Sequence, residues 1–140
     1  MEYLKQLKNK TGNMPIILNG AAGAILYENK LLLVFHKNKQ QWQIPGGLQE
    51  FGETLEDTVS REIKEELNLT LYPKDLIAVL SDIKWGWKYP DGFQIHPVTA
   101  FYLMDGNIDL DEIVIQEDEV EGYSLFDIDN IPSQFQNVRF

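Results

Sequence analysis

Glu62, Glu65 and Glu66 fall within one turn of each other in a segment whose apolar residues recur at helical spacing. Carboxylates packed that closely repel one another, at a small cost in water and a larger one when partly buried. Solvent tolerates such repulsion, but a divalent cation relieves it more fully. Directly before this segment runs a loop holding Pro45, Gly46, Gly47 and Gly52. Loop and helix together read as a Mg²⁺ site for phosphate chemistry.

Such a site needs a helix that keeps its register. Thr54 is an N-cap candidate, and Asp57, three residues on, is its capping-box partner. Leu55, Val59, Ile63 and Leu67 repeat at near-helical spacing and are expected to face the core. That leaves Arg61, Glu62, Glu65 and Glu66 on the opposite face. Asn68 follows the last turn, where a left-handed residue is often needed, and asparagine tolerates that conformation.

The scaffold around the helix reads as strands and turns. Tyr3, Leu4 and Leu7 mark a short amphipathic helix ended by Thr11-Gly12-Asn13. Residues 15–18 and 21–27 read as extended, with Gly20 and Gly23 marking bulges or close backbone approach. Residues 31–35 form a continuous apolar run typical of a buried strand, in a hairpin with the strand before it. The loop from His36 to Gln41 is polar and locally basic. Its Lys37 and Lys39 are either solvated or in contact with a phosphate. Residues 76–83 are strand-like. Trp85, Trp87 and Tyr89 alternate and so are expected to share one strand face. That face suits stacking on a nucleobase or a core or dimer-interface stripe. Residues 93–103 return after the Pro90-Asp91-Gly92 turn, with Pro97 suggesting an edge or bulge. Residues 109–121 are strongly acidic, residues 122–126 read as a last strand, and Ile131-Pro132-Ser133 opens a short final helix docked by Phe135 and Val138. His36 and His96 are lone histidines, expected to be structural or at the surface. Without repeats or linkers, residues 1–140 are expected to form a single domain, with 1–13 as an N-terminal helical extension.

Composition narrows the function. At 140 residues and 44% apolar content the chain can bury a core without staples. With no cysteine, disulfides, thiolate nucleophiles and cysteine-ligated metals are excluded. The N-terminus lacks a signal-peptide core and the longest apolar run, residues 14–27, is too short to span a membrane, so a soluble cytoplasmic protein is expected. A net charge of −10 repels nucleic-acid backbones and argues against broad electrostatic DNA or RNA binding. It repels a free nucleotide too, unless a cation bridges protein and phosphate.

The central stretch closely resembles the Nudix box, the signature of hydrolases acting on nucleoside diphosphates linked to another group. Gly47 is followed after five residues by Glu53, then after seven by Arg61-Glu62-Ile63-Lys64-Glu65-Glu66-Leu67-Asn68-Leu69. Eight of the nine specified positions match; the departure is Asn68 where the family has glycine. The lead-in Trp42-Gln43-Ile44-Pro45-Gly46-Gly47 and the closing segment from Tyr123 to Pro132 are similar to the family as well.

The resemblance implies the Nudix fold, an α/β/α sandwich with a mixed sheet. It further implies hydrolysis of a pyrophosphate linkage in a nucleoside diphosphate derivative or nucleoside triphosphate, with Mg²⁺ or Mn²⁺. Glu62, Glu65 and Glu66 would hold the metal, with the Gly46 carbonyl as a further ligand. Arg61, about 100° around the helix from Glu62, is expected to brace Glu53, which itself stands within reach of metal. The water-activating base is Glu65 or a glutamate of the acidic stretch, Glu119 ahead of Glu117. Lys37, Lys39, Trp85, Trp87 and Tyr89 are the candidate substrate contacts. The position sixteen residues past Leu69, which marks subtypes by proline or tyrosine, is Trp85 and leaves ADP-ribose-like and oxidised triphosphate substrates both open. The rival is a catalytically silent ligand-binding or regulatory domain, and a weaker one is an acidic interaction module. The intact carboxylate set argues against silence. The N-terminal helix and aromatic strand are surfaces on which a homodimer could form.

Overall fold

The run Gly20 to Ala24 is built from small residues, and the layers of the fold close around it. In the computed structural model, which describes residues 2–130, the elements are α1 (Glu2–Thr11), β1 (Ile16–Ala24), β2 (Leu26–Tyr27), β3 (Lys30–His36), β4 (Gln41–Gln43), β5 (Gly46–Leu48), α2 (Leu55–Leu67), β6 (Tyr72–Leu80), β7 (Trp87–Lys88), β8 (Gln94–Asp105) and β9 (Val120–Asp127). Single 3-10 turns occur at Ile83–Trp85, Leu110–Glu112 and Ile128–Asn130.

The strands divide into two sheets. One is mixed, in the order β5-β1-β8-β6 with β7 also beside β8; β1 and β8 run parallel and the other pairs antiparallel. The other is antiparallel, in the order β2-β3-β4 with β9 on the free side of β3. This is the mixed α/β architecture expected from the box. Val59, Ile63 and Leu67 of α2 are fully buried against Ala21, Ile25, Leu32, Leu69 and Leu71. Each such aliphatic side chain contributes roughly 1.5–3 kcal/mol by leaving water. Gly23 lies against Met104 and Ile63, where a Cβ would collide, so it marks close approach. Neither it nor Gly20 is a bulge, because β1 keeps unbroken register with β8 through both.

Several expectations are corrected. The two extended stretches at 15–18 and 21–27 are one long strand, β1, followed by the short β2 that makes the hairpin with β3. β6 begins at Tyr72, well before residue 76, and ends at Leu80. Trp85 sits in a 3-10 turn, so it does not share a strand face with Trp87. Pro97 lies in the interior strand β8, paired in parallel with Leu18 of β1. On its other side it falls between two partners, since pairing with β7 reaches only to Ile95 and pairing with β6 begins at Thr99, so its missing N–H disrupts no ladder there. His96 bridges the same gap, its Nε2 2.6 Å from the Ser81 carbonyl oxygen. The final helix expected around Ile131, Phe135 and Val138 lies outside the described residues. Among the described residues, no helix is long and apolar enough to cross a membrane.

Candidate active site

Helix α2 starts and stops where its sequence dictates. The Thr54 hydroxyl accepts from the Asp57 amide at 3.0 Å, and the Asp57 carboxylate accepts from the Thr54 amide at 3.1 Å. A cap of this kind contributes about 1 kcal/mol. At the other end Asn68 is left-handed, with φ 61°, and its amide donates to the Lys64 carbonyl at 2.9 Å. The asparagine side chain does what glycine cannot: its Nδ2 donates to the Glu112 carbonyl at 3.1 Å. Two more bonds, from Val114 N to Leu67 O at 3.1 Å and Gln116 N to Glu66 O at 3.2 Å, tie the acidic segment to the helix end.

That tether delivers Glu119. Its amide donates to Gln116 Oε1 at 3.2 Å, and its carbonyl accepts from the Lys37 amide at 2.7 Å. Lys37 Nζ donates to the Glu117 carbonyl at 3.2 Å. Lys37 therefore braces the turn carrying Glu119 and does not line the cavity, contrary to its expected role as a substrate contact.

Glu62, Glu66 and Glu119 each offer a carboxylate oxygen within 4.8 Å of the others. Glu62 and Glu66 are buried rather than on a solvated opposite face, whereas Glu65 is exposed and stands outside this cluster. Gly47 leaves room for Glu62: a Cβ there would overlap the Glu62 carboxylate and force it to move from this position. Glu117, the second choice for a base, is also outside the cluster.

Arg61 ties the loop, the helix and the cluster together. Its Nε donates to Glu53 Oε2 at 2.6 Å and its Nη2 to Glu53 Oε1 at 3.0 Å. Nη1 donates to Glu62 Oε1 at 2.9 Å and to Glu65 Oε2 at 3.2 Å, and Nη2 reaches the Leu48 carbonyl at 3.1 Å. The expected brace to Glu53 is present. The side chain also curls back to its neighbour Glu62, which the helical angle alone did not suggest. The guanidinium holds the Glu53 carboxyl below its usual range.

The cluster has the opposite electrostatics. Burial pushes Glu62 up to about 7, with Arg61 pulling against it and Glu65 and Glu119 adding to it. Burial raises Glu66 well above the ordinary carboxylate range, and the Glu62 and Glu119 charges raise it further. Among the described residues, Glu66 Oε2 is buried with no hydrogen-bond partner. Both groups hold protons in the folded chain that the unfolded chain has already lost above its ordinary value of 4.5. Their contribution to metal-free stability is therefore complete below that value and drains away as pH rises through about 7. Glu53 and Asp91 are shifted down, so their contributions are lost only as pH falls below the ordinary carboxylate range, outside this window. Inside it His36, lowered from 6.5 by burial, adds stability as pH rises and offsets part of the fall, one group against two. In EDTA the thermal midpoint is accordingly expected to fall between about pH 5 and about pH 8, and saturating Mg²⁺ to remove that fall. A flat or rising EDTA profile contradicts the assignment.

Beside the carboxylates opens a cavity of about 970 Å³. Gly46, Gly47, Arg61, Glu65 and the cluster form part of its wall. Lys39, Trp85, Trp87 and Tyr89 line it too, although the three aromatics reach it from different local structures. The Lys39 ammonium lies 3.8 Å from the Trp87 ring centroid, and burial pulls its pKa down to about 8. His36 also lines the cavity; burial and then Lys39 hold its pKa low, and its Nδ1 accepts from the Lys39 amide at 3.3 Å. Gln43 was missed by sequence reasoning: it lines the cavity and its Nε2 is buried without a partner among the described residues. Its place beside Trp42, leading into the glycine loop, was the only signal available.

A capped helix running out of a glycine loop, with buried carboxylates over a mixed sheet, defines a Nudix-type domain. The NUDIX domain model matches residues 18–139, and the chain belongs to this family. It is 35% identical over 113 residues to an ADP-ribose pyrophosphatase from Methanocaldococcus jannaschii, covering 79% of this chain and 62% of that protein. It is 32% identical over 87 residues to the NAD-capped RNA hydrolase NudC of Stutzerimonas stutzeri, covering 62% of this chain and 27% of that one. The chain thus spans less than two thirds of either relative's length. The crystal structure of a MutT NUDIX hydrolase from Burkholderia pseudomallei matches with a TM-score of 0.65 at 25% identity, over 86% of this chain and 91% of that one.

Proposed function

We propose that the protein hydrolyses a pyrophosphate linkage in a nucleoside diphosphate derivative, using Mg²⁺ or Mn²⁺ held by Glu62, Glu66 and Glu119. The observation that carries this reading is the buried Glu66 oxygen with no partner among the described residues, set among carboxylates beside a substrate-sized cavity. A buried carboxylate oxygen left without a partner is costly unless something cationic joins it. The all-oxygen donor set suits a hard divalent ion, and the Gly46 carbonyl is a further candidate ligand. When bound, that ion supplies charge neutralisation on the phosphate oxygens.

The chain's own residues do the rest. Water attacks one phosphorus, the P–O–P bond breaks, and a carboxylate takes the proton. Glu65, exposed at the cavity and held by Arg61, is the first candidate for that carboxylate, and Glu119 is the second. Glu53 and Arg61 keep the loop against the helix. Lys39 remains mainly protonated at neutral pH and offers an ammonium to a phosphate, while the Gln43 amide offers a donor. Trp85, Trp87 and Tyr89 provide ring faces for the nucleoside. The names of the archaeal and bacterial relatives support a diphosphate-linked substrate over a free triphosphate.

The test is turnover with Mg²⁺, against EDTA, on ADP-ribose, nucleotide sugars, dinucleotides and triphosphates, with products resolved by chromatography. Cleavage between the two phosphorus atoms is expected only with the metal. No turnover across that panel would remove the proposal and favour a silent binding domain.

A further inference from the structure

The family match begins at residue 18, yet part of the cavity wall comes from residues before it. Glu2, in the first turn of α1, lines the cavity along with Trp85, Trp87 and Tyr89. The helix buries no residue of its own, so its position depends on a few contacts. Leu4 packs with Trp87 and Tyr89 against the buried Leu48, Phe93 and Ile95. The Lys8 ammonium pairs with Asp91 and lies 5.4 Å and 5.5 Å from the Tyr89 and Phe93 ring centroids. Asp91 is itself fixed by accepting from the Phe93 amide at 3.0 Å. Every one of these contacts is to the β7–β8 hairpin or the apolar cluster beneath it. The helix is therefore fastened to the same piece of chain that carries the cavity's aromatic side.

Resting on the pyrophosphatase reading above, we propose that α1 is a specificity wall. It backs the aromatic compartment and sets Glu2, whose Oε1 accepts from Gln6 Nε2 at 3.3 Å, in the cavity wall, selecting substrates whose group beyond the pyrophosphate is uncharged and hydroxyl-bearing, such as a sugar. A carboxylate accepts hydrogen bonds from hydroxyls and repels further phosphate. The N-terminal end of a helix ordinarily attracts anions, but here Glu2 occupies the first turn and offsets that partial charge. Apart from the carboxylates of α2 and Glu119, Glu50 also lines the cavity, whereas the cations Lys39, Lys88 and Arg61 come from the β3–β4 turn, β7 and α2. The wall supplied by α1 thus adds a carboxylate and no cation, and disfavours a charged tail. Lys8 is a positioning residue for it.

The test compares kcat and KM for ADP-ribose and ATP in the full chain. Wild type is expected to prefer ADP-ribose. Glu2→Lys is expected to move the ratio of kcat/KM values about tenfold toward ATP. Lys8→Met is expected to raise the ADP-ribose KM about three- to fivefold with kcat held, the scale of one surface ion pair, and Lys8→Arg to keep the wild-type KM. Circular dichroism and Mg²⁺ calorimetry check that the fold and the carboxylate cluster are intact. A wild type that cleaves both substrates but prefers ATP, or variants that leave the ratio and KM unmoved, overturns this inference alone. A wild type that cleaves nothing in the wider panel overturns the pyrophosphatase reading, and this one with it.

Discussion

Glu66→Gln is expected to lower Mg²⁺-dependent hydrolysis by about a thousandfold or more while making the metal-free protein more stable above neutral pH. The two effects have one cause. Glu66 is 6% exposed, its Oε2 has no partner among the described residues, and Glu62 and Glu119 crowd it with like charge. A charge in that position destabilises the empty fold and becomes useful only when a cation arrives. Glutamine keeps the shape and removes the charge, so the fold gains what the site loses. Glu62→Gln is expected to share the loss of activity but to stabilise less. Glu62 accepts from Arg61 at 2.9 Å, and an amide forfeits that charge-assisted bond. The measurements are steady-state turnover, Mg²⁺ titration calorimetry, and thermal unfolding in EDTA at about pH 8. Undiminished metal-dependent turnover in Glu66→Gln would falsify the metal assignment. Lower stability in EDTA would instead show that the backbone hydrogen bond from Gly46 outweighs the cost of burial and like charge.

Much of the central helix can be derived locally, because its determinants are local. Thr54 and Asp57 are three residues apart and cap each other; Val59, Ile63 and Leu67 repeat on one stripe; Asn68 takes the left-handed turn. Spacing alone placed Glu62 and Glu66 on the face opposite the core. Glu62 packs instead against Gly47, a contact across fifteen residues that no helical periodicity encodes. Glu119 joins them because three hydrogen bonds bind residues 112–116 to the end of α2. One of those bonds uses the Asn68 side chain, so the departure from the box has a use in assembling the cluster. Lys37 and Lys39, two residues apart in one basic turn, are indistinguishable in sequence. Tertiary packing sends Lys39 over Trp87 and Lys37 to the Glu117 carbonyl. Alternation suggested one face for Trp85, Trp87 and Tyr89, but Asp82 accepts from the Lys84 amide at 2.9 Å and turns the chain into a 3-10 turn before the strand begins.

Arg61 carries the second large effect, because a single guanidinium serves four partners at once. Its five N–H donors reach both oxygens of Glu53, Glu62, Glu65 and the Leu48 carbonyl. Lysine has a comparable charge but no planar fork, so it can engage Glu53 or Glu62 and not both with the same geometry. Arg61→Lys is therefore expected to destabilise the protein by about 2 kcal/mol, and Arg61→Ala by about 3 kcal/mol. These figures sit at the lower end for broken ion pairs because the Arg61 side chain is 26% exposed and solvent screens part of the interaction. The electrostatic consequence extends past stability. Arg61 is the group that pulls Glu62 down against the pull of burial, so without it the Glu62 carboxyl rises above about 7. Metal binding requires that carboxyl ionised, so the pH at which Mg²⁺ binds and activates is expected to move upward in Arg61→Ala. Urea unfolding in EDTA gives the stability change, and Mg²⁺ affinity measured across pH gives the shift. A variant that loses stability while its metal-binding profile stays in place would show that Arg61 braces the loop through Glu53 alone and has no hold on the carboxylate cluster.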